Sequence, residues 1–191
     1  MNQIYLAGQK FDKIDYKQIF LPKAEYENCS FTNCDFSNSD LSDIKFIACE
    51  FVQCNLSLVK IAKSAFRDVH FKGCKLLGLS FDYCNGFGLA FSFEDCKLNH
   101  SSFYKTKIKK TVFKNSGLQE VDFTECDLAG SVFDNCDLTR ATFGNTILEK
   151  ADFRTSYNYS IDPDMNRIKK AKFSLNGVSG LLNKYDIEIE N

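Results

Sequence analysis

A strict period of five constrains this chain more than any other feature. From Cys29 it reads CSFTN, CDFSN, SDLSD, with an apolar residue at the centre of each pentad. An amphipathic helix repeats its apolar face near 3.6 residues and a half-buried strand at 2.0, so neither alone gives a period of five. The centres run from Tyr26 and Phe31 to Leu76 and Phe81, and the same register extends back through Leu21, Tyr16 and Phe11. After Cys84-Asn85-Gly86 the register slips by two residues. It then resumes with Leu98, Phe103, Ile108, Phe113, Leu118 and Phe123, and continues to Phe153.

Two places before each centre stands a small or compact residue, and all nine cysteines occupy this slot. An odd cysteine count without a CxxC pair or a Cys/His cluster supports neither a disulfide framework nor a zinc site. The cysteines read instead as small buried hydrophobes, and no metal or cofactor is expected. Alternation along a short extended segment puts a centre and the residue two before it on one face, so each pentad offers one large and one small side chain inward. A corner follows each segment, and pentads stack into a tube. Because aliphatic and aromatic centres alternate strictly in the second run, three sides would mix Leu and Phe in every column, whereas four sides keep them apart. The pattern therefore predicts an all-β, four-sided parallel β-helix with twenty residues per turn, in which Phe113, Phe133, Phe153 and Phe173 form one column.

The same register divides the chain into a cap with first pentads (1–23), a first repeat run (24–86), a slip (87–95), a second run (96–173) and a C-terminal cap (174–191). In that last segment, Ser174 is placed to start a short helix carrying Leu175, Val178, Leu181 and Leu182 on one face. A strand from Asp186 to Glu190, with Ile187 and Ile189 on one side, is expected to follow. These residues and Tyr185 would cover the last coil or meet a second copy.

Composition narrows the function. A chain of 191 residues with 44% hydrophobic residues and a net charge of -1 suits a soluble domain with a real core. No apolar run reaches about 18 residues and the start lacks a basic, then apolar, leader, so a cytoplasmic location without a membrane partner is expected. His70 and His100 lie in outward slots, no triad spacing exists, and the Gly86/Gly88 pair lies at the slip rather than in a phosphate loop, so no enzyme is expected. Charge is banded along the chain. Residues 24–44 hold Glu25, Glu27, Asp35, Asp40 and Asp43 without a base, and residues 116–138 hold Glu120, Asp122, Glu125, Asp127, Asp134 and Asp137 without a base. Lysine-rich bands lie between and beyond them, at 60–75, 105–114 and 167–172.

The stretches CSFTN CDFSN SDLSD and CDLAG SVFDN CDLTR ATFGN resemble the consensus of the pentapeptide-repeat family over about residues 24–155, and the two ends and central slip resemble its quinolone-resistance and microcin-immunity group. That resemblance implies a right-handed, quadrilateral β-helix, a rod that imitates duplex DNA, binds a type II topoisomerase such as DNA gyrase and protects it from a toxin or antibiotic. It also implies homodimerisation through the C-terminal end. The acidic bands would then stand in for phosphates. The group's quinolone-resistance members carry loops in their coils, whereas the first run here continues through FVQCNLSLV, which favours a toxin other than a quinolone. A protein-interaction scaffold with an unrelated partner is the alternative. Direct nucleic-acid binding through Lys105–Lys114 is not expected, for want of an exposed aromatic groove.

Overall fold

The computed structural model describes residues 4–190, and the predicted β-helix forms. Its strands are β1 (Ile4–Ala7), β2 (Lys10–Asp12), β3 (Ala24–Glu27), β4 (Ser30–Thr32), β5 (Lys45–Ile47), β6 (Glu50–Val52), β7 (Ala65–Arg67), β8 (Val69–Lys72), β9 (Phe91–Glu94), β10 (Val112–Lys114) and β11 (Val132–Asp134). One parallel sheet runs β1-β3-β5-β7 and a second runs β2-β4-β6-β8-β9-β10-β11. The register is twenty residues: Phe31 pairs with Phe51, and Phe113 with Phe133. The other two sides are held by single bridges such as Asp35 to Asn55 and Ser102 to Asp122.

Most corners are turned by the residue two places after a centre, in the left-handed conformation. Asn33 has φ 54°, Lys110 59° and Glu125 56°. For residues other than glycine this conformation costs about 1–2 kcal/mol each. Coil stacking offsets the cost, because the corner N–H donates to a carbonyl of the next coil, as from Asn33 to Val52 (2.9 Å) and from Glu125 to Gly144 (2.7 Å).

The core is a set of columns. Phe11, Phe31, Phe51, Phe71, Phe93, Phe113, Phe133, Phe153 and Phe173 form one uninterrupted stack, each ring 4.5 to 5.4 Å from the next. Phe81, Phe103, Phe123 and Phe143 form a second stack. The small slot does more than fill space, because its polar atom reaches back to a carbonyl of the preceding coil. Cys54 Sγ lies 3.3 Å from the Phe31 carbonyl, Ser64 Oγ 2.6 Å from that of Leu41, and Thr146 Oγ1 2.8 Å from that of Phe123. Cys, Ser and Thr interchange in this slot because each is compact and carries a donor.

Two expectations need correction. The slip was placed at 87–95, but β9 already pairs with β8 from Val69↔Phe91 to Lys72↔Glu94, so the two-residue offset is absorbed before Phe91. The expected strand at Asp186–Glu190 is absent. A 3-10 helix, Leu175–Leu181, follows Ser174, whose hydroxyl accepts from the Gly177 amide, and a 3-10 turn at Asn183–Tyr185 follows in place of a direct run into strand. Asp186 is left-handed (φ 49°), and residues 186–190 are exposed and irregular. The space over the last coil is already taken: Gly180 packs so closely on Tyr159 that a Cβ there would lie 2.3 Å from its carbonyl, and Gly180 O accepts from Ile161 N. Among the described residues, no helix is long and apolar enough to cross a membrane.

Candidate interaction surface

Twenty residues per turn places residue i against i+20, and this decides what the charge bands do. Each acidic band is one circuit of the rod, not a stripe along it, and the next coils supply bases. Glu25 meets Lys45 (3.1 Å), Asp35 meets Lys17 (2.8 Å) and Asp43 meets Lys23 (3.0 Å). In the second band, Glu120 lies between His100 (3.2 Å) and Arg140 (3.3 Å), Glu125 meets Lys105 (3.5 Å) and Asp127 meets Lys109 (3.2 Å). The same alternation appears outside the bands, with Glu94 between Lys72 and Lys114. Exposed pairs of this kind contribute about 0–1 kcal/mol each. Their larger effect is on the field, since alternating signs at coil spacing cancel over a few ångströms.

The remaining band residues are held by hydrogen bonds without a base among the described ion pairs. Tyr5 donates to Glu27 (2.5 Å), Asp40 accepts from Ser42 N (2.8 Å) and Asp122 from Thr124 N (2.8 Å), and Asp134 accepts from Thr155 Oγ1 (2.9 Å). Asp137 accepts from Gln119 Nε2 (2.6 Å), Thr139 Oγ1 (2.6 Å) and Asn158 Nδ2 (3.0 Å). Partial burial pushes the Asp137 carboxyl up, but these bonds outweigh it and hold it below its ordinary range. Asp127, although part of the acidic band, is buried beneath its Lys109 partner, so a basic residue there would be costly.

Both histidines are exposed, His70 beside Ser92 and His100 beside Glu120. No His/Cys/Asp/Glu group that could hold a metal occurs among the described residues. All nine cysteines are free, and Cys84 alone is not fully buried. At the C-terminal end Leu175, Tyr185, Ile187 and Ile189 are exposed, Val178 is marginally so, and Leu181 and Leu182 are half-buried.

The charge bands gave no hint of one further surface. Leu58, Tyr83 and Phe87 are 61%, 67% and 77% exposed. Leu58 and Tyr83 border an apolar groove of about 320 Å³ that also takes in Ile61, Ala62 and Gly78. Phe87 lies under the Arg67 guanidinium, 5.3 Å from its ring centre. The available signal was positional: large apolar residues standing outside the inward slots.

The comparisons fit this geometry. Over 99% of this chain and 100% of the other, the fold is similar to a trypsin-treated variant of QnrB1, a plasmid-mediated fluoroquinolone resistance protein, with TM-score 0.57 and 18% identity. HetL, a pentapeptide repeat protein involved in heterocyst differentiation regulation from the cyanobacterium Nostoc sp. strain PCC 7120, is similar over 92% of this chain and 88% of its own, with TM-score 0.56 and 13% identity. No curated protein matches the sequence. The pentapeptide repeat region family matches residues 24–92 and 88–153. With those matches covering most of the chain, and with coils that close at twenty residues on either side of a single two-residue slip, this chain belongs to the pentapeptide-repeat family.

Proposed function

We propose that this chain is a non-enzymatic, cytoplasmic protein-binding rod, and that a type II topoisomerase such as DNA gyrase, protected from a toxin or antibiotic, is its first partner to test. One observation carries the binding role: the outward side chains are held in register by coil-to-coil bonds, so four flat faces are preorganised before any partner arrives, which lowers the ordering cost of association. The topoisomerase assignment comes from the resemblance of the repeats to the quinolone-resistance and microcin-immunity group and is supported by the shared fold of the fluoroquinolone resistance protein. Phosphate mimicry would fall on Asp122, Asp134 and Asp137, the second-band carboxylates that make no ion pair among the described residues, although Asp134 lies beside Lys114 in the ladder, rather than on both bands as wholes.

A supercoiling assay of gyrase, titrated with the rod in the presence and absence of a poison, tests this. Inhibition alone or relief of poisoning is the expected result. No effect at any concentration removes the topoisomerase and leaves a scaffold with an unrelated partner.

We further propose that the exposed end around Leu175, Val178, Tyr185, Ile187 and Ile189 joins two copies, with the half-buried Leu181 and Leu182 backing it. Light scattering at tens of micromolar should then give a dimer mass, and a monomer mass rejects it.

A further inference from the structure

We propose that the register slip forms a docking surface for an acidic segment of a partner protein that carries a bulky apolar anchor; this names a site for the protein-binding role above and rests on it. Elsewhere in the repeats most large apolar side chains point inward, and those that do not, such as Phe20, Val112 and Tyr157, stand apart from this patch in the sequence. At the slip this order fails. Tyr83 and Phe87, only four residues apart, both stand out from the rod, and Leu58 lies beside Tyr83 across the apolar groove. The two extra residues explain Phe87: its amide is taken by Asn85 Oδ1 (3.0 Å) instead of a neighbouring coil, and Gly88 follows in the left-handed conformation (φ 68°). A second hollow of about 330 Å³ continues from Gly86 and Leu89 to Tyr104, Lys105 and Lys107. Contiguous exposed apolar surface on a soluble chain marks a place where something binds.

The charges around it choose the partner. Lys60 borders the first hollow, Lys105 and Lys107 the second, and Arg67 covers Phe87. Lys63 joins them, its amide bonded to the Tyr83 carbonyl. Lys105 is paired with Glu125, whereas Lys63, Arg67 and Lys107 make no ion pair among the described residues. The acids in the patch are Asp68, beside His70, and Asp82, whose Oδ1 is buried without a hydrogen-bond partner. Exposed aromatic rings backed by an arginine are the groups that dominate protein interfaces, and unpaired bases around them favour carboxylates opposite. The groove at Leu58, Ile61 and Ala62 is built for an aliphatic or aromatic side chain. A nucleic-acid strand has no such group, and one face of Phe87 is already covered by Arg67, which leaves little platform for base stacking.

The test is selection of a random-sequence dodecapeptide display library on the full chain. The selected peptides are then measured by fluorescence anisotropy against wild type, Tyr83→Ala/Phe87→Ala and Lys63→Glu/Lys107→Glu. Because the substituted residues are exposed, both variants should retain wild-type melting curves. Expected are peptides rich in Asp and Glu around an apolar residue, with affinity reduced about tenfold or more by either variant and weakened by salt. Peptides that bind both variants as well as wild type overturn this surface but leave the protein-binding role standing. Failure to select any peptide counts against both. A single-stranded oligonucleotide whose binding is lost in both variants would assign the patch to nucleic acid, and wild-type self-association lost in both would assign it to a second copy; either result overturns the proposal.

Discussion

Truncating Phe123 to Ala removes a ring that has four aromatic neighbours within the second run. Its side chain is fully buried. Phe103 and Phe143 stack on its two faces at 5.4 and 5.3 Å, and Phe113 and Phe133 meet it edge-on at 6.0 and 5.9 Å. Large buried aromatics cost about 3–5 kcal/mol on truncation. Four ring contacts, each worth about 0.5–1.5 kcal/mol beyond area burial, move the expectation to about 4–5 kcal/mol. The cavity cannot collapse easily, because the coils above and below are fixed by their own ladders. Two comparisons sharpen this. Phe143→Ala, at a site with two ring neighbours and 7% exposure, should cost about 3 kcal/mol. Phe123→Leu should cost only about 1–1.5 kcal/mol, since Leu41 and Ile61 serve the same side in earlier coils. Urea melts followed by circular dichroism and by tyrosine emission, the chain having no Trp, would measure all three and check that the array unfolds as one unit. A loss below about 1 kcal/mol for Phe123→Ala would refute the column packing.

The thiols and carboxylates give two further expectations. Burial pushes the Cys84, Cys126 and Cys136 thiols all up, the last two to about 12, so native thiols should react slowly at neutral pH; Cys84, the one partly exposed cysteine, should be modified before the others, and early modification of Cys126 would contradict the buried slot. Asp137 is held below its ordinary value, so its contribution is present above the unfolded carboxylate value near pH 4 and is lost as pH falls through the lower folded value; Asp137→Asn should flatten that acid limb in melts at stepped pH, and an unchanged limb would contradict the role given to its four donors, the Thr139 amide included.

Much of the coil was legible because a five-residue period leaves few geometries, and strict Leu/Phe alternation in the second run chose four sides. The column Phe113, Phe133, Phe153 and Phe173 stands as the spacing required. Phe93 is hidden by the slip, because it follows Phe71 by twenty-two residues instead of twenty, yet it joins the two halves of the stack. The donors in the Cys/Ser/Thr slot depend on where the preceding coil puts its carbonyls, which no local pattern encodes. The pairing of charges was hidden for a simpler reason. Bands of like sign look coherent along the sequence, but Glu120 faces His100 and Arg140 rather than Asp122. Adding and subtracting twenty from each charged position would have exposed the cancellation. The tail alternates Asp186, Ile187, Glu188, Ile189, Glu190 as a strand does, but alternation makes a strand only where an open edge is available, and the last coil is already covered by Leu175–Leu181.

The ring stacks, the cancelled charges and the outward faces all follow from residue i lying against residue i+20. Asn115 and Asn135 occupy successive exposed corners, with Asn135 Nδ2 donating to Asn115 Oδ1 at 2.9 Å. Neighbouring coils lie about 4.8 Å apart, inside the range that a disulfide spans. In a Cys84→Ser background, mild oxidation of Asn115→Cys/Asn135→Cys should close an intramolecular crosslink, read as a mobility shift on a denaturing gel. Asn115→Cys/Gly130→Cys, which a fifteen-residue, three-sided coil would bring together, should stay reduced. Crosslinking of the fifteen-residue pair in preference to the twenty-residue pair would contradict the four-sided coil.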